Sequence, residues 1–122
     1  MKFKELDANV SLQDQLSADT SPVILINVFS VDPADGDALM EAWAGDAAYF
    51  KMRPGFISAQ LHRGIGGSGT FLNYAVWESV RHFREAFGAP EFQSKLSRYP
   101  STTVASPHLF TKIPIPGICL GP

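Results

Sequence analysis

The stretch Phe71-Leu-Asn-Tyr-Ala-Val-Trp-Glu-Ser-Val-Arg-His-Phe-Arg-Glu-Ala-Phe87 decides how this chain folds. Its first half alternates as a strand does, sending Phe71, Asn73, Ala75 and Trp77 to one side and Leu72, Tyr74 and Val76 to the other. Both sides are mostly apolar, so both need cover. Ser79 then supplies a helix cap, and Val80, Phe83 and Phe87 recur behind it at helical spacing. A strand therefore turns directly into an amphipathic helix. Asn73 and Trp77 share one face, and each carries a hydrogen-bond donor. If that face covers a cavity, amide and indole open together onto a small-molecule site.

Upstream, Val23 to Ser30 is nearly all apolar and β-branched, the pattern of a strand buried on both faces, with Asn27 as its one interruption. Asp32-Pro33 is a helix-start signal, with Asp35 and Asp37 at the positive end of the dipole. Leu39, Trp43, Ala47 and Phe50 form the helix stripe, and Arg53-Pro54-Gly55 ends it. Phe56 to Arg63 is a second strand. It is joined to a third, Thr70 to Trp77, by Gly64-Ile-Gly-Gly-Ser-Gly69. That glycine string matches GxGxxG, but a strand follows it where a phosphate site needs a helix, so it is a hairpin loop. After Ser79 the helix falters at Gly88-Ala-Pro90, resumes through Phe92 and Leu96, and stops at Pro100. Thr102 to Lys112 is the fourth strand, and Pro107 within it demands an edge position or a bulge.

Strand, helix, strand, strand, helix, strand is the order of an α+β, ferredoxin-like βαββαβ sandwich. Residues 1–21 form a polar N-terminal arm, 22–112 the folded domain and 113–122 a proline-rich tail. Two helices can cover only one face of a four-stranded sheet. A second copy is the economical cover for the other, giving a homodimer with two-fold symmetry.

Bulk properties narrow the function. The 122 residues, 45% apolar and 18% charged, describe one ordinary globular domain. A net charge of −2 gives no basic field for nucleic acid or anionic membrane. No apolar run approaches the ~20 residues that span a bilayer, and the first twenty residues hold no signal core. The expectation is a cytoplasmic protein. Cys119 is the single cysteine, and no base stands beside it in sequence. His62, His82 and His108 do not occur at metal-ligand spacing, so no metal is expected. His82 is placed on the solvent side of its helix, while His62 and His108 are candidates for proton transfer. Asn27 needs a partner, backbone or ligand, because an unpaired buried amide costs about 1–3 kcal/mol.

Four local patterns now line up in order: Pro54-Gly55-Phe56 opening a strand, Asn73-x-x-x-Trp77 closing the next, Trp77-Glu-Ser, and an aromatic helix carrying His82-Phe83. In these, over roughly Pro22 to Lys112, the chain resembles the antibiotic biosynthesis monooxygenase-like family of dimeric α+β barrels. The resemblance implies an oxygenase that oxidises an aromatic, polyketide-type phenol with dioxygen and without a cofactor. It implies that Asn73 and Trp77 grip the substrate's ring oxygens between sheet and helices. Phe83 stands where the family has a tyrosine, and His62 or Arg63 and Arg98 stand near its other polar positions. With these matches, the catalytic candidates are Asn73, Trp77, His62, Arg63 and His108. The substrate-binding candidates are Asn27, Trp43, Tyr49, Phe50, Phe71, Tyr74, Phe83, Phe87 and Arg98. A cyclase, isomerase or decarboxylase using the same pocket is the alternative. A haem degrader, which would need a histidine where Leu96 stands, and a non-catalytic dimeric binding protein complete the set.

Overall fold

The computed structural model describes residues 1–119, so the final residues of the tail, 120–122, lie outside the described residues. Its elements are β1 (Lys2–Phe3), α1 (Leu12–Gln15), β2 (Val23–Ser30), α2 (Gly36–Phe50), β3 (Phe56–Arg63), β4 (Thr70–Trp77), α3 (Val80–Gly88), α4 (Pro90–Gln93) and β5 (Val104–Phe110). Short 3-10 turns precede α2 and follow α4. The strands form one sheet in the order β1-β5-β2-β4-β3, the ferredoxin-like α+β arrangement. The expected strand–helix units are present. The sheet has five strands where four were expected, because the arm contributes β1. No helix among the described residues is long and apolar enough to cross a membrane.

Local chemistry sets the element ends. Asp32 accepts from the Ala34 amide at 3.0 Å ahead of α2, and Ser79 accepts from the His82 amide at 3.1 Å ahead of α3. Gly55, at φ +85°, takes the tight turn into β3. A Cβ there would lie 2.2 Å from the His82 ring. His82 is thus half-buried against Gly55, with Nδ1 2.7 Å from the Ser79 hydroxyl, and not turned to solvent as the sequence pattern suggested.

One face of the sheet meets the helices. Leu25, Ala75, Trp77 and Leu109 pack with Val80, Phe83 and Ala86 of α3. Phe29, Phe71 and Ala105 pack with Leu39 and Ala42 of α2 and with Tyr99. On the opposite face Ile24, Ile26, Val28, Leu72 and Val76 are only half-buried. Tyr74 and Phe110 there are each 39% exposed.

The arm is less polar in its role than in its composition. Leu12 and Leu16 are buried in the core, and Arg84 of α3 donates to the Leu16 carbonyl at 2.6 Å. Gln15 behaves as a short extra strand. Its amide accepts from Leu109 N–H and donates to Leu109 C=O, both at 2.9 Å. β1 does the same service further along, with Lys4 N–H donating to the Ala105 carbonyl at 2.9 Å. Odd-numbered residues of β5 therefore turn their backbone groups to the outer edge. Pro107 lies in that set between the two partners, where a missing N–H costs nothing.

Glycine is required at position 55 by both conformation and space. Gly55→Ala should cost roughly 1–3 kcal/mol from strained φ alone, more with the His82 collision, and a lowered urea midpoint would report it.

Candidate active site

Between the sheet and the helices lies a cavity whose empty space, with its open mouth and the solvent before it included, is about 630 Å³. Asn27, Asn73, Ala75 and Trp77 contribute to its floor. Trp43, Asp46, Ala47 and Phe50 of α2, Phe83 and Phe87 of α3, and Phe92, Leu96 and Tyr99 contribute to its walls. Met1 and Phe3 from the arm complete the lining beside Ala105 and Pro107.

Most of this surface is carbon. Trp77 is held on three sides by edge-to-face contacts, with ring centroids 5.6 Å from Phe50, 5.5 Å from Phe56 and 5.8 Å from Phe83. Such contacts fix a ring's orientation as well as burying it. Asn73 is 9% exposed, and its Oδ1 is buried without a hydrogen-bond partner. Asn27 faces Asn73 across the β2–β4 ladder. Its partner is backbone: Asn27 Oδ1 accepts from the Ser106 amide at 3.1 Å.

Asp46 and Tyr99 form a pair in the wall that the sequence pattern did not single out. The Tyr99 hydroxyl donates to Asp46 Oδ2 at 2.5 Å, and Tyr99 stacks on Phe29 at 5.7 Å. Asp46 Oδ1 is buried and unpartnered. Burial raises the Asp46 carboxyl from an ordinary 3.8 to about 6, against the opposing pull of the Tyr99 hydrogen bond and the Lys95 and Arg98 charges. Burial first, then the Asp46 charge and hydrogen bond, pushes the Tyr99 phenol upward. A signal was available in the sequence. Asp46 lies seven residues after Leu39 and three after Trp43, so it stands in the apolar stripe of α2 where a carboxylate has no structural business.

Of the residues expected at the site, the cavity gathers Asn27, Trp43, Phe50, Asn73, Trp77, Phe83 and Phe87. It does not gather the others. His62 is on the opposite face of the sheet, its Nδ1 3.3 Å from the Leu72 carbonyl oxygen. His108 is on that face too, its Nε2 3.1 Å from the Gln15 amide nitrogen. Strand alternation sends both away from the helices, as it sends Tyr74. Arg63 lies over the Phe71 ring at 4.9 Å and donates to the Ser68 carbonyl at 2.9 Å, which occupies both side chains elsewhere. The Tyr49 hydroxyl donates to the Ala86 carbonyl at 3.4 Å, and the Arg53 guanidinium covers its ring at 5.0 Å. Arg98 is exposed and reaches the site only through its charge on Asp46. Leu96, where the haem-degrader alternative was expected to need a nitrogen ligand, brings carbon to the cavity. No cluster of metal-ligating side chains occurs among the described residues.

Comparison with known proteins agrees with this fold. A family model described as antibiotic biosynthesis monooxygenase matches residues 22–94. A deoxynogalonate monooxygenase of Streptomyces nogalater is 30% identical over 95 residues, spanning 76% of this chain and 78% of that protein. Among solved structures, SnoaB of Streptomyces nogalater, described as a cofactor-independent oxygenase, superposes with a TM-score of 0.69 at 26% identity, covering 80% of this chain and 99% of that one. Rv0793 of Mycobacterium tuberculosis, at 16% identity and a TM-score of 0.65, covering 80% of this chain and 100% of that one, shares the fold.

The raised Asp46 carboxyl has a consequence for stability with a definite sign. Between 3.8 and about 6 the folded chain keeps a proton that the unfolded chain has released. Stability from this group is therefore present below that window, falls as pH rises through it and stays low above. Asp46→Asn removes the titration and can still accept from Tyr99. The variant should be more stable than the parent at neutral pH by up to about 3 kcal/mol. The gap should close as pH falls toward the lower end of the window, in urea titrations on either side of it.

Proposed function

We propose, from the premise that this chain belongs to the antibiotic biosynthesis monooxygenase family, that it is a cofactor-independent oxygenase of an acidic aromatic phenol. The observation that carries the reading is the fixed pair Asn73 and Trp77, on one face of β4 and within one carbon-walled cavity. Its similarity to a monooxygenase and to a cofactor-independent oxygenase supports the same reaction class.

The chemistry needs little from the protein beyond position and polarity. A phenolic ring system bearing an acidic CH2 loses a proton to give a delocalised anion. That anion passes one electron to dioxygen, and the resulting radical pair joins as a peroxide. Loss of water from the peroxide leaves a ring carbonyl. One oxygen atom of O2 enters the product and the other leaves as water, with all electrons supplied by the substrate. Asn73 and Trp77 N–H groups aimed at the ring oxygens favour the anion, and more so in a dry site than in water. The flat aromatic walls hold the ring in one orientation toward the incoming oxygen.

The second sheet face supports a homodimer. Ile26 and Tyr74 are direct cross-strand neighbours on it, and the half-exposed apolar row around them suits a second copy of the same face. Two copies joined this way form the dimeric α+β barrel.

Dithranol, a dihydroxyanthrone with an acidic ring CH2, is a suitable probe, with its slow uncatalysed oxidation subtracted. Asn73→Ala and Trp77→Phe should each lower enzyme-dependent oxygen uptake by roughly 10²–10³-fold, the scale of one lost anion-stabilising donor. Full activity in both variants would defeat the mechanism, and product formed equally well without oxygen would transfer the pocket to an isomerase or cyclase. Ile26→Asp and Tyr74→Asp should each move the sedimenting species from dimer to monomer; a parent chain that sediments as a monomer would end the barrel proposal.

A further inference from the structure

The reaction described above requires a base, and the side chains expected to supply one, His62 and His108, lie on the other face of the sheet. Among the residues that line the cavity, Asp46 is the one side chain that carries a carboxylate oxygen without a hydrogen-bond partner. Its two oxygens are in different states. Oδ2 is tied down by the Tyr99 hydroxyl, while Oδ1 is buried with no partner. A carboxylate retained for architecture would have both oxygens satisfied, because an orphaned buried acceptor costs about 1–3 kcal/mol and a charged one more. Asn73, whose Oδ1 is likewise buried without a partner, lines the same cavity from the sheet side.

We propose that Asp46 is the general base that takes the proton from the bound substrate, with Tyr99 as the positioning residue that holds its carboxylate. This assignment rests on the oxygenase reading for the fate of the anion, but not for its formation. Asp46 Oδ1 accepts the proton from the substrate's acidic carbon or phenol, forming an O–H bond and leaving the electron pair on the ring. After dioxygen has added, the same proton is returned to the outer peroxide oxygen; the O–O bond then breaks as the carbon gives up its remaining hydrogen, so that the outer oxygen departs as water and the ring carbonyl forms. The carboxylate is regenerated and no further reductant is consumed.

The groups around Asp46 suit the role. Tyr99 donates to it, and Lys95 and Arg98 on the segment after α4 favour its charged form. The α-amino group of Met1 belongs to a residue of the same lining, and the remaining lining side chains are uncharged. Desolvation raises the carboxyl to about 6, which strengthens it as a base while leaving it ionised at neutral pH. Activity should fall as pH drops through that region. Tyr99→Phe removes a hydrogen bond that favours the ionised form, so the acid limb should move to higher pH.

The test separates base from oxygenase. Dithranol is mixed anaerobically at neutral pH with the full chain and with Asp46→Asn, and the long-wavelength absorbance of its anion is recorded; thermal melts confirm that the variant is folded. The parent should generate the bound anion and Asp46→Asn should not. On admitting air, Asp46→Asn should consume oxygen about 10²–10⁴-fold more slowly. Its pH–rate profile should lack the acid limb, while Tyr99→Phe should keep that limb displaced upward. Equal anion formation by parent and Asp46→Asn, no anion with the parent, or an acid limb that survives in Asp46→Asn would each overturn the assignment. Anion formation by the parent with no oxygen uptake would leave Asp46 as the base and remove the oxygenase reading instead.

Discussion

The register between β2 and β4 is the constraint on which the site depends. Eight consecutive pairs run from Val23 opposite Trp77 to Ser30 opposite Thr70, placing Asn27 directly across from Asn73. A slip by one residue would turn Asn73 and Trp77 to the outer face and bring Leu72, Tyr74 and Val76 under the helices. Core packing resists that slip. Val23, Leu25 and Phe29 on one strand and Phe71, Ala75 and Trp77 on the other are all nearly inaccessible. The residues arriving from the outer face are apolar too, so what the slip forfeits is fit, above all the edge-to-face packing of Trp77 against Phe50, Phe56 and Phe83. The polar pair is thus held in the floor by the apolar residues around it.

That logic also explains what could be read directly from the sequence. The alternation in Phe71–Trp77, the Ser79 cap and the spacing of Val80, Phe83 and Phe87 specify a strand passing into a helix, and the structure has both. Residues on regular elements, such as Asn73, Trp77, Trp43 and Phe50, fall where periodicity puts them. Faces are harder to assign when both are apolar. His62 and His108 sit on strands whose alternation fixes which residues share a face, but not which face the helices cover; the pairing of Leu61 with Asn73 and of Pro107 with Asn27 settles it, and sends both histidines outward. The arm was least legible. Gln15 reaches Leu109 across 94 positions, and the two residues of β1 pair with β5, contacts that no local pattern encodes. Asp46 was visible as an acid in an apolar stripe, but its partner Tyr99 lies 53 positions away.

Stability and chemistry pull against each other in the cavity, and the tension is localised. Trp77, Phe50, Phe83, Phe87 and Phe92 form a continuous chain of ring contacts 4.6–5.8 Å apart. Beside this cluster stand Asp46 and Asn73, each with an unpaired buried oxygen. A fold under selection for stability alone would have replaced the first with a neutral side chain. The aromatic framework supplies the burial that lets such groups persist, and it holds the indole of Trp77 steady from several directions. Preorganisation of this kind would matter most for the proposed oxygenation, whose electrons come from the substrate, because the protein's contribution is then almost wholly orientation and field.

The wall of the cavity is not uniformly held. α1 is anchored by buried Leu12 and Leu16, by the paired amide bonds of Gln15 and by Arg84. β1 has far less. Its residues Lys2 and Phe3 are exposed, and it is tied by the bonds Lys2 N–H to the Thr103 carbonyl and Lys4 N–H to the Ala105 carbonyl. Local opening draws first on segments with few buried contacts and few backbone hydrogen bonds. Met1 and Phe3 nevertheless line the cavity, so its least secured side is formed by the start of the chain, while Asn73, Trp77 and Asp46 stand on long regular elements. The polar groups of the proposed site are therefore carried by the long regular elements, and the short β1 side of the wall adds no polar side chain to it.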